Sequence, residues 1–192
     1  MKKVKFFVLL MALCLVLSMF AACGGLPTIG GGEDTSQGLE FTSNGDGTCY
    51  VSGIGTCTDL NVVIPKRSPD GDSVTRIGDY AFSICSSLTS ITIPDSVTSI
   101  GNGAFEVCKS LTSITIPDSV ASIGMRAFFS CGITSITIPD SVTSIGMGAF
   151  DSCVSLKTVY YTGSEEEWSA IIGSLGLGLT SATIIYNYVP EE

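Results

Sequence analysis

Along most of this chain the apolar residues recur in one compound pattern: L-x-x-I-x-I-P, then V-x-x-I-G, then A-F-x-x-C. It returns nearly letter for letter as LTSITIPDSVTSIGNGAFEVCKS from Leu88, LTSITIPDSVASIGMRAFFSCG from Leu111 and ITSITIPDSVTSIGMGAFDSCVS from Ile133. A near-identical block at a period of about 23 residues is one structural unit stacked on itself. Within a copy, Leu88, Ile91 and Ile93 end in a period-2 alternation, which predicts a short strand with these side chains inward; Pro94, lacking an N–H, ends its pairing. Val97 and Ile100 supply a second inward patch, Gly101 permits a turn, and Ala104, Phe105 and Cys108 predict a short helical turn that closes the coil. Each inward aliphatic gains about 1.5–3 kcal/mol only where a neighbouring coil covers it, so a single coil does not fold alone.

The apolar strand residue falls at Ile64, Ile93, Ile116, Ile138, Tyr161 and Ile184, with spacings of 29, 23, 22, 23 and 23. The first interval holds a turn-rich insertion, Lys66–Asp72, and the short one is taken up at Gly132. This predicts a β-rich repeat solenoid of about six stacked coils with short helical turns over residues 59–187, the last coil serving as a C-terminal cap. Ahead of it, residues 39–58 carry two alternating segments around Asn44-Gly45-Asp46-Gly47 and predict a β-hairpin cap. Ser164 with Glu167 reads as a capping box that starts a short helix through Trp168 and Ile172, and residues 188–192 read as a tail.

The unit L-x-x-I-x-IP-x-SV-x-x-IG-x-x-AF-x-x-C resembles the BspA-like class of leucine-rich repeats, closely over Leu88–Ser155 and more loosely over Asp59–Asn187. The resemblance implies a leucine-rich-repeat-like fold, an extracellular setting and an adhesin-like role in binding protein or glycan, and it brings no catalytic residue with it.

The N-terminus reads as an export signal over residues 1–22: Met1–Lys5 is basic, Phe6–Phe20 is apolar, and Ala21 and Ala22 precede Cys23. The stretch FAACGG resembles a bacterial lipoprotein signal, which implies lipidation at Cys23 and a membrane contact through that lipid. Ordinary secretion with cleavage nearby and an uncleaved anchor are the alternatives. Residues 23–38 lack apolar periodicity and read as a flexible linker.

Charge and composition narrow the partners. Without Lys2, Lys3 and Lys5, six of the nine basic residues remain against 18 acidic ones, which argues against nucleic acid. The chain has no histidine, which removes the commonest general base and metal ligand, and no cofactor or metal is expected.

Four columns carry the candidate chemistry. Ser90, Thr92, Ser113, Thr115, Ser135, Thr137, Thr158 and Tyr160 point outward along the strand, with Ser181 and Thr183 continuing them. They form the candidate binding face, on which Tyr160 is the leading exposed contact residue. Cys85, Cys108, Cys131 and Cys153 recur at one place and read as buried apolar fillers rather than disulfides or a zinc site. A bridge between Cys49 and Cys57 stays open. Asp95, Asp118 and Asp140 repeat after proline and read as turn caps whose carboxylates accept backbone N–H bonds, with a calcium column as the sharper reading.

The expected role is noncovalent protein or glycan binding at the cell surface by a membrane-anchored lipoprotein. The rivals are a structural or spacer protein of the envelope and, less favoured, an enzyme.

Overall fold

A computed structural model of the chain describes residues 35–172, 178–179 and 182–190. The expected signal, Cys23, the linker through residue 34, and Ser181 lie outside the described residues. The strands in chain order are β1 (Glu40–Ser43), β2 (Thr48–Gly53), β3 (Asn61–Val63), β4 (Ser73–Ile77), β5 (Ser90–Thr92), β6 (Ser99–Ile100), β7 (Ser122–Ile123), β8 (Ser135–Ile138), β9 (Ser144–Ile145), β10 (Thr158–Tyr161) and β11 (Thr183–Ile185). Among the described residues one helix, α1 (Glu165–Ile172), accompanies them.

The unit folds as a solenoid turn, as the repeat predicts, but with two strands per coil where the pattern suggested one. The second patch, Val97 to Ile100, is itself strand-forming: β4, β6, β7 and β9 run parallel in register, Ser99 beside Ser122 beside Ser144. The expected hairpin forms with Phe41 opposite Val51, and β2 pairs parallel with β4, so the hairpin extends this sheet to six strands. Its turn uses Gly45 and Gly47 at φ 81° and 83°, and Asp46 accepts from the Thr48 N–H and hydroxyl.

The Ala-Phe corner is not the expected helical turn. The N–H groups of Tyr80, Phe82 and Ile84 donate to the carbonyls of Asn102, Ala104 and Glu106 in the next coil at 2.8, 2.8 and 2.7 Å. The intervening Ala81, Ser83 and Cys85 fold back on Gly78, Tyr80 and Phe82 of their own coil. Gly103, Phe105 and Val107 repeat the arrangement onto Met125, Ala127 and Phe129. A helix would turn every N–H inside its own coil; alternation leaves half of them to bind the neighbour, at the cost of left-handed backbone at Tyr80, Ile84 and Val107.

Between the two strand faces and this corner lies one core. Val97, Ile100, Phe105, Ile123, Phe128, Ile145 and Phe150 are all buried, and Phe82, Phe105, Phe128 and Phe150 stack with ring centroids 5.4, 5.4 and 5.5 Å apart. That spacing slightly exceeds the strand spacing of a sheet, so the rings follow the coil rise in offset stacks. Gly132 is where the short coil tightens: its N–H donates to the Cys108 carbonyl, and a side chain there would collide with the Lys109 carbonyl.

Three expectations about the ends change. Among the described residues three coils carry both strands and the Ala-Phe corner, a fourth has β7 and the corner but only a bridge at Thr115 in place of its first strand, the next is closed by α1 and the last contributes β11 alone, so the stack falls short of six full coils. In that last rung Ile184 pairs with Val159 and not Tyr161, because a two-residue slip keeps every side chain on its face and alternation cannot forbid it. At the other end the linker stops early: Ser36 is buried, its N–H donates to the Val63 carbonyl and its hydroxyl accepts from the Val63 N–H. The open edge of β3 supplies polar groups that draw this segment in.

The capping box forms as expected, with the Ser164 N–H donating to Glu167 Oε2 at 2.8 Å and the Glu167 N–H to Ser164 Oγ at 3.2 Å. It places Trp168 against Tyr161, both buried, with ring centroids 5.0 Å apart. Tyr188, assigned to the tail, is tied in by its N–H to the Tyr161 carbonyl.

Candidate binding face

The strand face is built from β3, β5, Thr115, β8, β10 and β11, and the repeat alternation turns its hydroxyls outward. Thr92, Ser113 and Thr115 are exposed, while Ser90, Ser135, Thr137, Thr158 and Tyr160 are half-buried. Thr137 sits between Thr115 and Tyr160, and Thr158 between Ser135 and Thr183. Thr183 therefore joins the Ser135 column rather than the Thr137 column, and Ile185 stands beside Tyr160. Tyr160 is not a free contact residue: its ring lies 4.4 Å from that of Tyr188, because the segment after β11 returns across the outer surface. Asn61 opens the face, its Oδ1 accepting the hydroxyls of Thr89 and Ser90 at 2.8 Å each.

The acidic rim is organised differently from the expectation. Asp95, Asp118 and Asp140 are exposed, and among the described residues their carboxylates accept no backbone N–H. Serine is the turn's polar anchor instead: Ser119 Oγ donates to the Val97 carbonyl at 2.6 Å and Ser141 Oγ to the Val120 carbonyl at 2.9 Å. A hydroxyl can donate to the carbonyl the preceding coil presents there, and a carboxylate cannot. No group of three metal-ligating side chains comes together among the described residues.

The described cysteines are free thiols. Cys108, Cys131 and Cys153 are buried and donate to the carbonyls of Phe82, Phe105 and Phe128 in the preceding coil at 3.0, 2.9 and 2.9 Å. Burial pushes the Cys85 and Cys153 thiols up to about 11. Cys49 and Cys57 are unbridged; Cys49 is buried, and its thiol lies 3.7 Å from the Asp72 carbonyl at the insertion.

Beside the rim lies a groove of about 600 Å³, lined by Ile91, Thr92, Asp95, Thr115, Ile116 and Asp118 among others. No residue on either side marks it, since Leu88–Val97 and Leu111–Val120 are letter-identical. The only available signal was indirect: unequal spacing in the flanking coils.

The comparisons agree with this geometry. The model of the BspA-type leucine-rich repeat region matches residues 75–171 with 6 copies. A crystal structure of a leucine-rich repeat protein from Bacteroides capillosus matches with a TM-score of 0.56 at 30% identity, covering 67% of this chain and 99% of that one. One from T. pallidum matches with a TM-score of 0.55 at 27% identity, covering 67% of this chain and 71% of that one. Among curated proteins none matches the sequence. With the repeat unit, the paired strands and the phenylalanine stack all accounted for over half its length, the chain belongs to the BspA-type leucine-rich repeat family.

Proposed function

We propose that this chain is an exported, lipid-anchored cell-surface protein that binds an extracellular protein or glycan noncovalently across its strand face. The observation that carries this reading is the outward hydroxyl array, Thr92, Ser113, Thr115, Ser135 and Thr137, held on a stacked core that is already ordered. A preordered face keeps the entropy cost of association low. Lipidation of Cys23 would hold that face at the membrane, with the linker as its tether.

Purified full-length chain on protein and glycan arrays should show specific, saturable binding that Thr115→Arg with Thr137→Arg removes while the melting transition stays in place. Absence of saturable binding, or binding that ignores both arginines, favours the spacer reading. Cys23→Ala should abolish fatty-acid labelling and release the protein from the membrane fraction; a variant that stays membrane-bound points to an uncleaved anchor.

A further inference from the structure

The strand ladder on the candidate face is interrupted. β5 pairs with β3 on one side only, and the next copy of the strand is joined only onward, by the Thr115–Thr137 bridge and the Thr134 N–H to the Thr112 carbonyl. Among the described residues no backbone hydrogen bond links segment 88–95 to segment 111–118. The missing partners follow from the alternation. The Thr92 carbonyl accepts from the Ile64 N–H, so Ile91 and Ile93 turn their N–H and C=O groups the other way. The Thr112 carbonyl faces β8, so those of Ser113 and Thr115 turn back toward Ile91 and Ile93. Elsewhere the same two coils stay joined, through Ser99–Ser122 and through the Phe105 N–H to the Ala127 carbonyl. The stack is therefore open on one face only, and the opening is the groove of about 600 Å³.

From this we infer that the groove recognises an extended polypeptide segment bearing lysine or arginine; the inference rests on the binding role proposed above and names the ligand class. Unpaired N–H and C=O groups repeating at the strand period are complemented by a polypeptide backbone, whereas sugar hydroxyls do not repeat at that spacing. Ile91 and Ile116 provide an apolar floor for alternate side chains. Asp95 and Asp118 stand on the rim, exposed and without an ion pair among the described residues, so the complementary side chain is a cation.

The test uses the full chain and the synthetic peptide acetyl-Lys-Thr-Val-Thr-Lys-amide, followed by calorimetry and amide exchange. In the free chain the amides of Ile91, Ile93, Ser113 and Thr115 should exchange rapidly beside a protected Val159, and the peptide should slow them. Replacing both peptide lysines by glutamate should abolish binding. Asp95→Asn with Asp118→Asn should weaken it about tenfold, roughly threefold for each exposed carboxylate, and N-methylation of alternate peptide amides by about tenfold or more. Protected amides in the free chain, or an N-methylated peptide that binds as well as its parent, would overturn the inference. A chain that ignores the peptide yet binds its array partner through Thr115 and Thr137 refutes the groove and leaves the face; one that binds neither refutes both.

Discussion

On one side of the stack six strands pair without interruption from β1 to β9, and on the other the ladder stops after β5 and resumes at Thr115. The residues flanking that break are the same ten letters, LTSITIPDSV, at Leu88–Val97 and at Leu111–Val120. The break is therefore not encoded in either strand. It falls between a coil that follows the Lys66–Asp72 insertion and one that precedes the shortened coil at Gly132, where spacings set from the two ends must meet. Which face yields is a local matter. On the unbroken face glycines bring successive backbones together: a Cβ on Gly124 would lie 2.5 Å from the Gly101 carbonyl carbon. On the other face Pro94, Pro117 and Pro139 donate nothing, so each rung holds its neighbour through only a few bonds.

The largest test of this contrast compares two buried isoleucines. Ile123 is sealed between Ile100 and Ile145 on the unbroken face, whereas Ile93 lines the groove, where neighbours have room to close in. Truncation costs more where the site cannot collapse. Ile123→Ala should cost about 4 kcal/mol and Ile93→Ala about 2 kcal/mol in denaturant unfolding. Equal losses would mean that the two faces differ in pairing but not in packing.

How much of this was legible in the residues depends on what each signal constrains. The period, the inward Ile, Val and Phe positions, the Asn44–Gly47 turn and the Ser164–Glu167 box each rest on contacts within one unit or its copy, and the fold follows them. The corner was misread because A-F-x-x-C spacing suits a helix, and only the neighbouring coil's carbonyls decide that alternate N–H groups leave it. Register in β11 escaped for a different reason: its alternation is unchanged by a slip of two. Of the candidate face, the hydroxyl columns were readable, while the cover that Tyr188 lays on Tyr160 and the gap beside Ile91 are long-range outcomes.

The corner offers a second test, because it runs unbroken where the strand face does not. Its thiols at Cys85 and Cys153 are held up to about 11 by burial, against 9.0 for an ordinary thiol. A group whose folded value is raised supports folding fully below its unfolded value and loses that support as pH rises toward the folded one. Stability should therefore be level up to about pH 9 and fall between pH 9 and 11 as the unfolded chain ionises its cysteines first. Cys153→Ala should flatten part of that fall in a series of denaturant titrations. Stability that stays level through pH 9 to 11 would place these thiols in contact with water.

The smallest effect isolates the insertion itself. Ser119 and Ser141 each donate a hydroxyl to a valine carbonyl of the preceding coil, but the hydroxyl oxygen of Ser96, at the same place in its own copy, is buried with no partner. The coil before Ser96 is the one with the insertion. There Val74 belongs to a five-residue strand and donates its N–H to the Lys66 carbonyl. Removing a made hydrogen bond costs about 1 kcal/mol, whereas removing a buried hydroxyl that bonds to nothing costs little or relieves its desolvation. Ser141→Ala should therefore lose about 1 kcal/mol while Ser96→Ala is neutral or gains up to about 1 kcal/mol. Deleting part of the loop from Lys66 to Asp72 should reverse the sign at Ser96, because the regular spacing would return the valine carbonyl to its reach. If Ser96→Ala costs as much as Ser141→Ala in the intact chain, the insertion does not disturb the turn, and the offset it passes to the groove loses its source.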